Sequence, residues 1–179
     1  MTLPPKAHIC GVTVALHAGQ GVVQSASYCM GCLYNLGGGF IMIIRENTRE
    51  TVTSSLDVVK ILVAILNSED DFEKDKEHFW VLGLNVRNHI KYVELSTLGT
   101  LTSSVVHPRE TFRLAVNKGI ASIIIGHNHP SGDITPSKDD IAMTKRIKES
   151  GDILGIRVLD SIIISTDCKH YSMQEAGIM

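Results

Sequence analysis

The chain has 179 residues, 44% hydrophobic and 20% charged, which is enough apolar material for a core and too little charge for a disordered chain. This length holds one ordinary domain with an added arm and excludes two large ones. With 17 Lys+Arg against 19 Asp+Glu the formal net charge is −2, so no overall basic field favours nucleic acid and only a local basic patch could attract it. No apolar run approaches the roughly 20 residues of a membrane span, Ile61–Leu66 being the longest candidate. The N-terminus lacks a charged-then-apolar signal layout, so a cytoplasmic location is expected. Cys10, Cys29, Cys32 and Cys168 are then expected as reduced thiols.

Charge breaks the chain into parts. Residues 1–36 carry only Lys6 as a charged side chain and show no sustained period, so they read as an N-terminal arm of unassigned structure. Gly37-Gly38-Gly39 falls at the break and reads as a hinge, residues 37–52 being a linker with a short strand at Phe40–Ile44. Residues 53–179 form the main domain. Within it Ser55–Leu66 has a helical period, with Ser54 or Ser55 as N-cap and Leu56, Val59, Leu62, Val63 and Leu66 on one face. Asn67–Lys76 is a charged connector. His78–Leu84 and His89–Leu95 are apolar runs separated by Asn85-Val86-Arg87-Asn88, the pattern of a hairpin. Pro108 opens a helix to about Asn117, with Phe112, Ala115 and Val116 as its buried positions. Ala121–Gly126 is a β-branched run that suits a central strand. After a turn-rich loop to Pro136, a helix follows Ser137 to about Ser150. Val158–Ser165 and Tyr171–Met173 read as strands. The mixture without a strict βαβ repeat predicts a mixed-sheet α/β or α+β domain.

The chemistry concentrates in His127-Asn128-His129-Pro130-Ser131-Gly132-Asp133-Ile134-Thr135-Pro136-Ser137-Lys138-Asp139-Asp140. Histidines at i and i+2 project to one side of an extended strand, so His127 and His129 can meet one cation. Asp140, in the first turn of the next helix, can fold back to complete a His₂-carboxylate set with an open fourth position, the mark of a catalytic zinc. Asp133 and Asp139 compete with it on charge, and spacing favours Asp140. Ser137 and Asp140 also form a Ser-x-x-acid capping pattern, and an Asp is not expected to serve both as cap and as ligand.

This string resembles the JAMM (MPN-plus) metalloprotease motif, His-x-His, seven residues, then Ser-x-x-Asp, met here at His127, His129, Ser137 and Asp140. With GTLTSSVVHPRETFRLAV at 99–116 and LGIRVLDSIIIS at 154–165, the chain from about Phe40 to Met179 is similar to the RadC branch of that family. It departs from the branch at Ser161, where a His usually follows Asp160. Residues 1–36 do not resemble the helix-hairpin-helix region of longer members. The resemblance implies a JAMM/MPN-like (cytidine-deaminase-like) mixed sheet flanked by helices. It implies Zn²⁺ on His127, His129 and Asp140, with water as fourth ligand. It further implies Glu77 as general base, with Glu73 and Glu94 as fallbacks, and Ser137 as a donor to the developing oxyanion unless it caps the helix. Arg109 is expected to bind a substrate carboxylate or to pair with Glu110 or Glu94.

The expected activity is zinc-dependent hydrolysis of a peptide or isopeptide bond in a peptide or protein substrate. The alternatives are a DNA-repair or mobile-element accessory protein using the metal domain as a binding module, and a scaffold that keeps zinc for stability. In the arm, His8-x-Cys10 and Cys29-x-x-Cys32 can supply four ligands to a structural zinc. His17, His78, His89 and His170 have no partner spacing and read as surface or core histidines.

Overall fold

The computed structural model describes residues 50–99 and 106–179, together with the backbone of four short strands at Ala7–Ile9 (β1), Val12–Val14 (β2), Leu33–Asn35 (β3) and Phe40–Met42 (β4). β1 and β2 pair with each other, and β3 and β4 join the edge of the main sheet. Of the proposed ligands, His8 lies in β1, of which only the backbone is described, and Cys10, Cys29 and Cys32 lie outside the described residues, as does the Gly37–Gly39 hinge. So does His17.

The main sheet continues with β5 (Glu77–Leu84), β6 (Ile90–Gly99), β7 (Ser122–Asn128), β8 (Arg157–Ile164) and β9 (His170–Ser172), in the order β3-β4-β6-β5-β7-β8-β9. β5 runs antiparallel to β6 and β7, β7 and β8 are parallel, and β9 is antiparallel to β8. The sheet is therefore mixed, as the irregular succession of elements predicts. The β5–β6 hairpin closes through Asn85, whose Oδ1 accepts from Arg87 N–H and His89 N–H at 2.9 and 3.0 Å. Asn88 takes the left-handed region at φ 57°, which Asn tolerates better than most residues.

Helices cover both faces. Helix α1 (Ser55–Ser68) lies on one side, starting at N-cap Ser54. Leu62, Val63 and Leu66 pack there with Trp80, Leu82 and Ile164. On the other side are α3 (Pro108–Thr111), α4 (Arg113–Asn117) and α5 (Lys138–Leu154), with Phe112, Ala115, Met143 and Ile147 against Phe79, Val81, Ile123 and Ile125. Burial on both faces explains why β5 and β7 read as nearly unbroken apolar runs rather than alternating ones.

Several expectations need adjusting. Leu56 is 51% exposed whereas Val58 is buried, because the buried face of α1 is centred on Val59, Leu62 and Leu66 and leaves Leu56 at its margin. The segment read as a connector is partly helical: α1 runs to Ser68, and a short α2 (Asp71–Lys74) follows, capped by Asp70 accepting from Glu73 N–H at 2.9 Å. The helix expected from Pro108 to Asn117 is interrupted at Phe112. Leu114 and Ala115 are consequently buried and Val116 is 58% exposed. His78 is a core histidine, buried and stacked on Trp80 with ring centroids 5.1 Å apart. Cys168 is disulfide-bonded, which corrects the expectation of four reduced thiols. Among the described residues no helix is long and apolar enough to cross a membrane.

Candidate metal centre

His127 is fully buried, in a strand whose seven residues are all buried. Its opposite residue on β5 is Phe79, and directly opposed residues of an antiparallel pair share a face. His127 therefore faces α5, with Ile123, Ile125 and Phe79. His129 follows just past the end of β7. Its ring orientation is fixed by the loop, because Nδ1 lies 2.6 Å from the carbonyl oxygen of Asp133. A carbonyl can only accept, so Nδ1 carries the proton and Nε2 keeps its lone pair. Gly132, at φ +76°, takes the left-handed turn that folds the loop back.

Asp140 arrives from the first turn of α5, which begins at N-cap Ser137. The cap and the site share the carboxylate. Oδ2 accepts from Ser137 N–H at 2.8 Å and from its hydroxyl at 2.6 Å, while Asp140 N–H donates to Ser137 Oγ at 3.1 Å. Oδ1 stands 3.4 Å from His127 Nε2, and Oδ2 stands 3.4 Å from His129 Nε2. The carboxylate that caps the helix thus also faces both histidines, since it has two oxygens and several lone pairs.

The two Nε2 atoms are 3.2 Å apart. Three ligands about 2.0–2.1 Å from a tetrahedral ion stand roughly 3.3–3.4 Å from one another. The 3.2 Å between the two rings, and the 3.4 Å from each ring to one carboxylate oxygen (Oδ1 for His127, Oδ2 for His129), are separations of that size. His127, His129 and Asp140 form a group able to hold a metal ion. Two imidazoles and a carboxylate suit zinc, and other divalent ions also accept this donor set. His127 Nδ1 is buried with no hydrogen-bond partner among the described residues.

The electrostatics agree with the geometry. Burial alone would raise the Asp140 carboxyl, but the bonds from His127, His129 and Ser137 outweigh it and hold the group well below the ordinary range. His129 is raised, chiefly by its bond to Asp140, with the Asp133 carbonyl and the charges of Asp140 and Glu77 adding to the effect against burial.

The other sequence candidates sort by position. Glu77 opens β5 two residues before Phe79, so it lies on the same face as His127. Ser137 is the helix cap, its hydroxyl bonded to Asp140. Glu94 is buried and ion-paired to Arg113 at 2.9 Å, and Glu73 pairs with Lys76 at 2.6 Å. Arg109 is an exposed neighbour of Glu110 at 3.5 Å. Asp133 is exposed, with Oδ1 accepting from Thr135 N–H, and Asp139 is exposed on α5. Ser161, the departure from the RadC pattern, is buried and accepts a 2.9 Å bond from Thr144.

Asn128, between the two histidines, carried no assigned role in the sequence reading. It is 2% exposed; its Oδ1 accepts from His78 N–H at 2.7 Å and its Nδ2 donates to the Lys76 carbonyl at 3.0 Å. The only signal in the sequence was an amide between the two histidines at the end of an apolar strand.

A mixed sheet between helices, presenting a His-x-His strand end to the capped start of a helix, is the arrangement of a JAB-type domain with a group that could hold a metal ion. Residues 52–178 match the family model described as RadC-like JAB domain, and the chain belongs to that family. It is 44% identical over 140 residues to a UPF0758 protein of Caldanaerobacter subterraneus subsp. tengcongensis, covering 78% of this chain and 58% of the relative. It is 50% identical over 129 residues to a UPF0758 protein of Staphylococcus epidermidis, with coverages of 70% and 57%. A UPF0758 protein of Listeria monocytogenes is 44% identical over 140 residues, with coverages of 78% and 60%. The matches span somewhat over half the length of these relatives.

Proposed function

We propose that this chain is a zinc-dependent hydrolase of amide bonds, a metallopeptidase or isopeptidase of the JAMM type acting on a peptide or protein substrate. The observation that carries the reading is the convergence of His127 Nε2, His129 Nε2 and the Asp140 carboxylate, with the rings 3.2 Å apart and each 3.4 Å from a carboxylate oxygen, in a group that could hold a metal ion. A zinc ion held there supplies a Lewis acid for the substrate carbonyl and makes water nucleophilic near neutral pH.

The protein's own groups do the rest. Asp140 and the histidines hold the ion, with His129 kept in the ligating tautomer by Asp133. Glu77, on the same face as His127, takes a proton from the attacking water and passes it to the leaving nitrogen, as amide hydrolysis requires. Ser137 turns its hydroxyl from Asp140 toward the developing oxyanion and donates to it.

The test is hydrolysis by the zinc-loaded protein of p-nitrophenyl acetate and of a fluorogenic library containing peptide and Lys ε-linked isopeptide bonds. Glu77→Gln is expected to keep its zinc and lose roughly 10²–10⁴-fold in turnover, and His129→Ala to lose both. Zinc-loaded wild type that cleaves nothing above the buffer rate would overturn the reading and favour a binding or scaffold role.

A further inference from the structure

We propose that Asn128 is a positioning residue that holds the backbone around Glu77 against the metal face. This rests on the reading of Glu77 as the base. The β5–β7 pairing stops at Phe79↔His127, so Glu77 and His78 project beyond the last rung shared with β7. Nothing in that ladder fixes where Glu77 sits relative to the histidines. The Asn128 side chain supplies the missing rung, through the 2.7 Å bond from His78 N–H and the 3.0 Å bond to the Lys76 carbonyl. The two bonded peptide groups lie on either side of Glu77, one in the residue before it and one in the residue after.

The residue type follows from the partners. His78 N–H can only donate and the Lys76 carbonyl can only accept, so the side chain must offer an acceptor and a donor side by side. Asp has no donor at neutral pH, Ala has neither group, and Leu would leave the N–H of buried His78 without this acceptor. The Lys76 carbonyl also lies 2.9 Å from His78 Nδ1, so the entry to β5 is held by a local contact as well as by Asn128. Because Asn128 stands between His127 and His129 in the chain, the strand that presents the histidines also presents the clamp. The spacing of acid and ligands is thereby set within one pair of strands. Asn128 bonds none of the three metal-holding side chains among the contacts described, so its loss should spare the metal.

A misplacement of about 1 Å can cost up to roughly 100-fold in rate. Asn128→Ala is accordingly expected to lower kcat for p-nitrophenyl acetate about 10- to 100-fold, with KM within about threefold and zinc content unchanged. Hydrogen exchange at the His78 amide should quicken by about tenfold or more as its partner is lost. Asn128→Asp, which keeps an acceptor for His78 and repels the Lys76 carbonyl, should retain that protection and lose kcat; it also serves if the Ala variant does not fold. A double-mutant cycle separates positioning from general damage, since Asn128→Ala should cost nothing further in a Glu77→Gln background.

A wild-type kcat in Asn128→Ala, or a loss of equal size in both backgrounds, would overturn the inference alone. Zinc-loaded wild type without turnover, or Glu77→Gln at the wild-type rate, would overturn the reading beneath it.

Discussion

Replacing Asp140 by Asn probes the link between the cap of α5 and the metal centre. The substitution is isosteric, and an amide oxygen can still accept from Ser137 N–H, which now bonds Oδ2 at 2.8 Å. The metal-free protein should therefore lose only about 1 kcal/mol, the usual worth of a cap together with a first-turn charge. The zinc-bound protein should lose more. At free zinc 1,000 times the dissociation constant, binding stabilises the native state by about 4.1 kcal/mol. Removal of the one anionic ligand should weaken binding at least about 100-fold, the upper end of what an outer-sphere change alone can do. That leaves about 1.4 kcal/mol at the same zinc concentration, a loss of roughly 2.7. At about 2–4 °C per kcal/mol for a chain of this size, the zinc-induced rise in Tm should shrink by roughly 5–11 °C. Thermal unfolding of both proteins, in chelator and in buffered zinc, reads the two contributions separately. An equal zinc-induced shift in wild type and Asp140→Asn would refute the assignment of Asp140 as a ligand. A metal-free loss larger than the zinc-linked one would show that its oxygens serve the helix rather than the ion.

Other predictions follow from the packing around this site. A Cβ at Gly126 would stand 2.4 Å from Leu62 Cδ1, and Leu62 is fully buried, so Gly126→Ala should destabilise by about 1–3 kcal/mol through overpacking; an unchanged urea midpoint would contradict it. Ser161→Ala strands the buried Thr144 hydroxyl and should cost about 1–3 kcal/mol, whereas the double change Ser161→Ala/Thr144→Val should restore most of that loss in chemical denaturation. Burial raises the Asp160 carboxyl despite bonds from Ser172, Gln174 and Ser161. A carboxyl raised in the folded state contributes stability that is present below its unfolded value, about 3.9, and is lost as pH rises through the folded one. The stability of Asp160→Asn relative to wild type should therefore increase from pH 4 to pH 7, and urea midpoints that differ by a constant amount across that range would refute the burial argument.

The parts of this fold that could be read from the sequence are those governed by local rules. The hairpin announced itself through Asn85 and Asn88, and the N-terminus of α5 through Ser137 and Asp140, because turns and caps are settled by a few adjacent residues. The His-x-His spacing likewise put two imidazoles on one side of a strand. The phase of α1 was harder to read, since nearly every residue from Val58 to Leu66 is apolar and burial depends on where the sheet lies. Phe112 interrupts a helix that Pro108 starts in good order, and no residue type in that segment signals the break. The double duty of Asp140 escaped a residue-by-residue reading, because Oδ2 faces Ser137 and His129 at once while Oδ1 faces His127. Asn128 escaped it too, because its partners are peptide groups 50 and 52 positions away, and backbone groups look alike in every sequence.

The carboxylate shared between cap and histidines makes the rotational setting of α5 about its own axis a property of the metal centre. A turn of the helix by one residue, about 100°, would swing Asp140 out of reach of both rings while leaving every helical hydrogen bond intact. What prevents that turn lies along the whole length of the helix. Thr144 is latched to Ser161, Ile147 is sunk beside Phe112, and at Gly151 the helix approaches so closely that an added Cβ would meet the Ile156 carbonyl oxygen at 2.5 Å. Gly151 is eleven residues from Asp140, roughly 16 Å along the helix, and touches no ligand. A bulkier side chain there would act on metal affinity by twisting the shaft on which Asp140 is mounted.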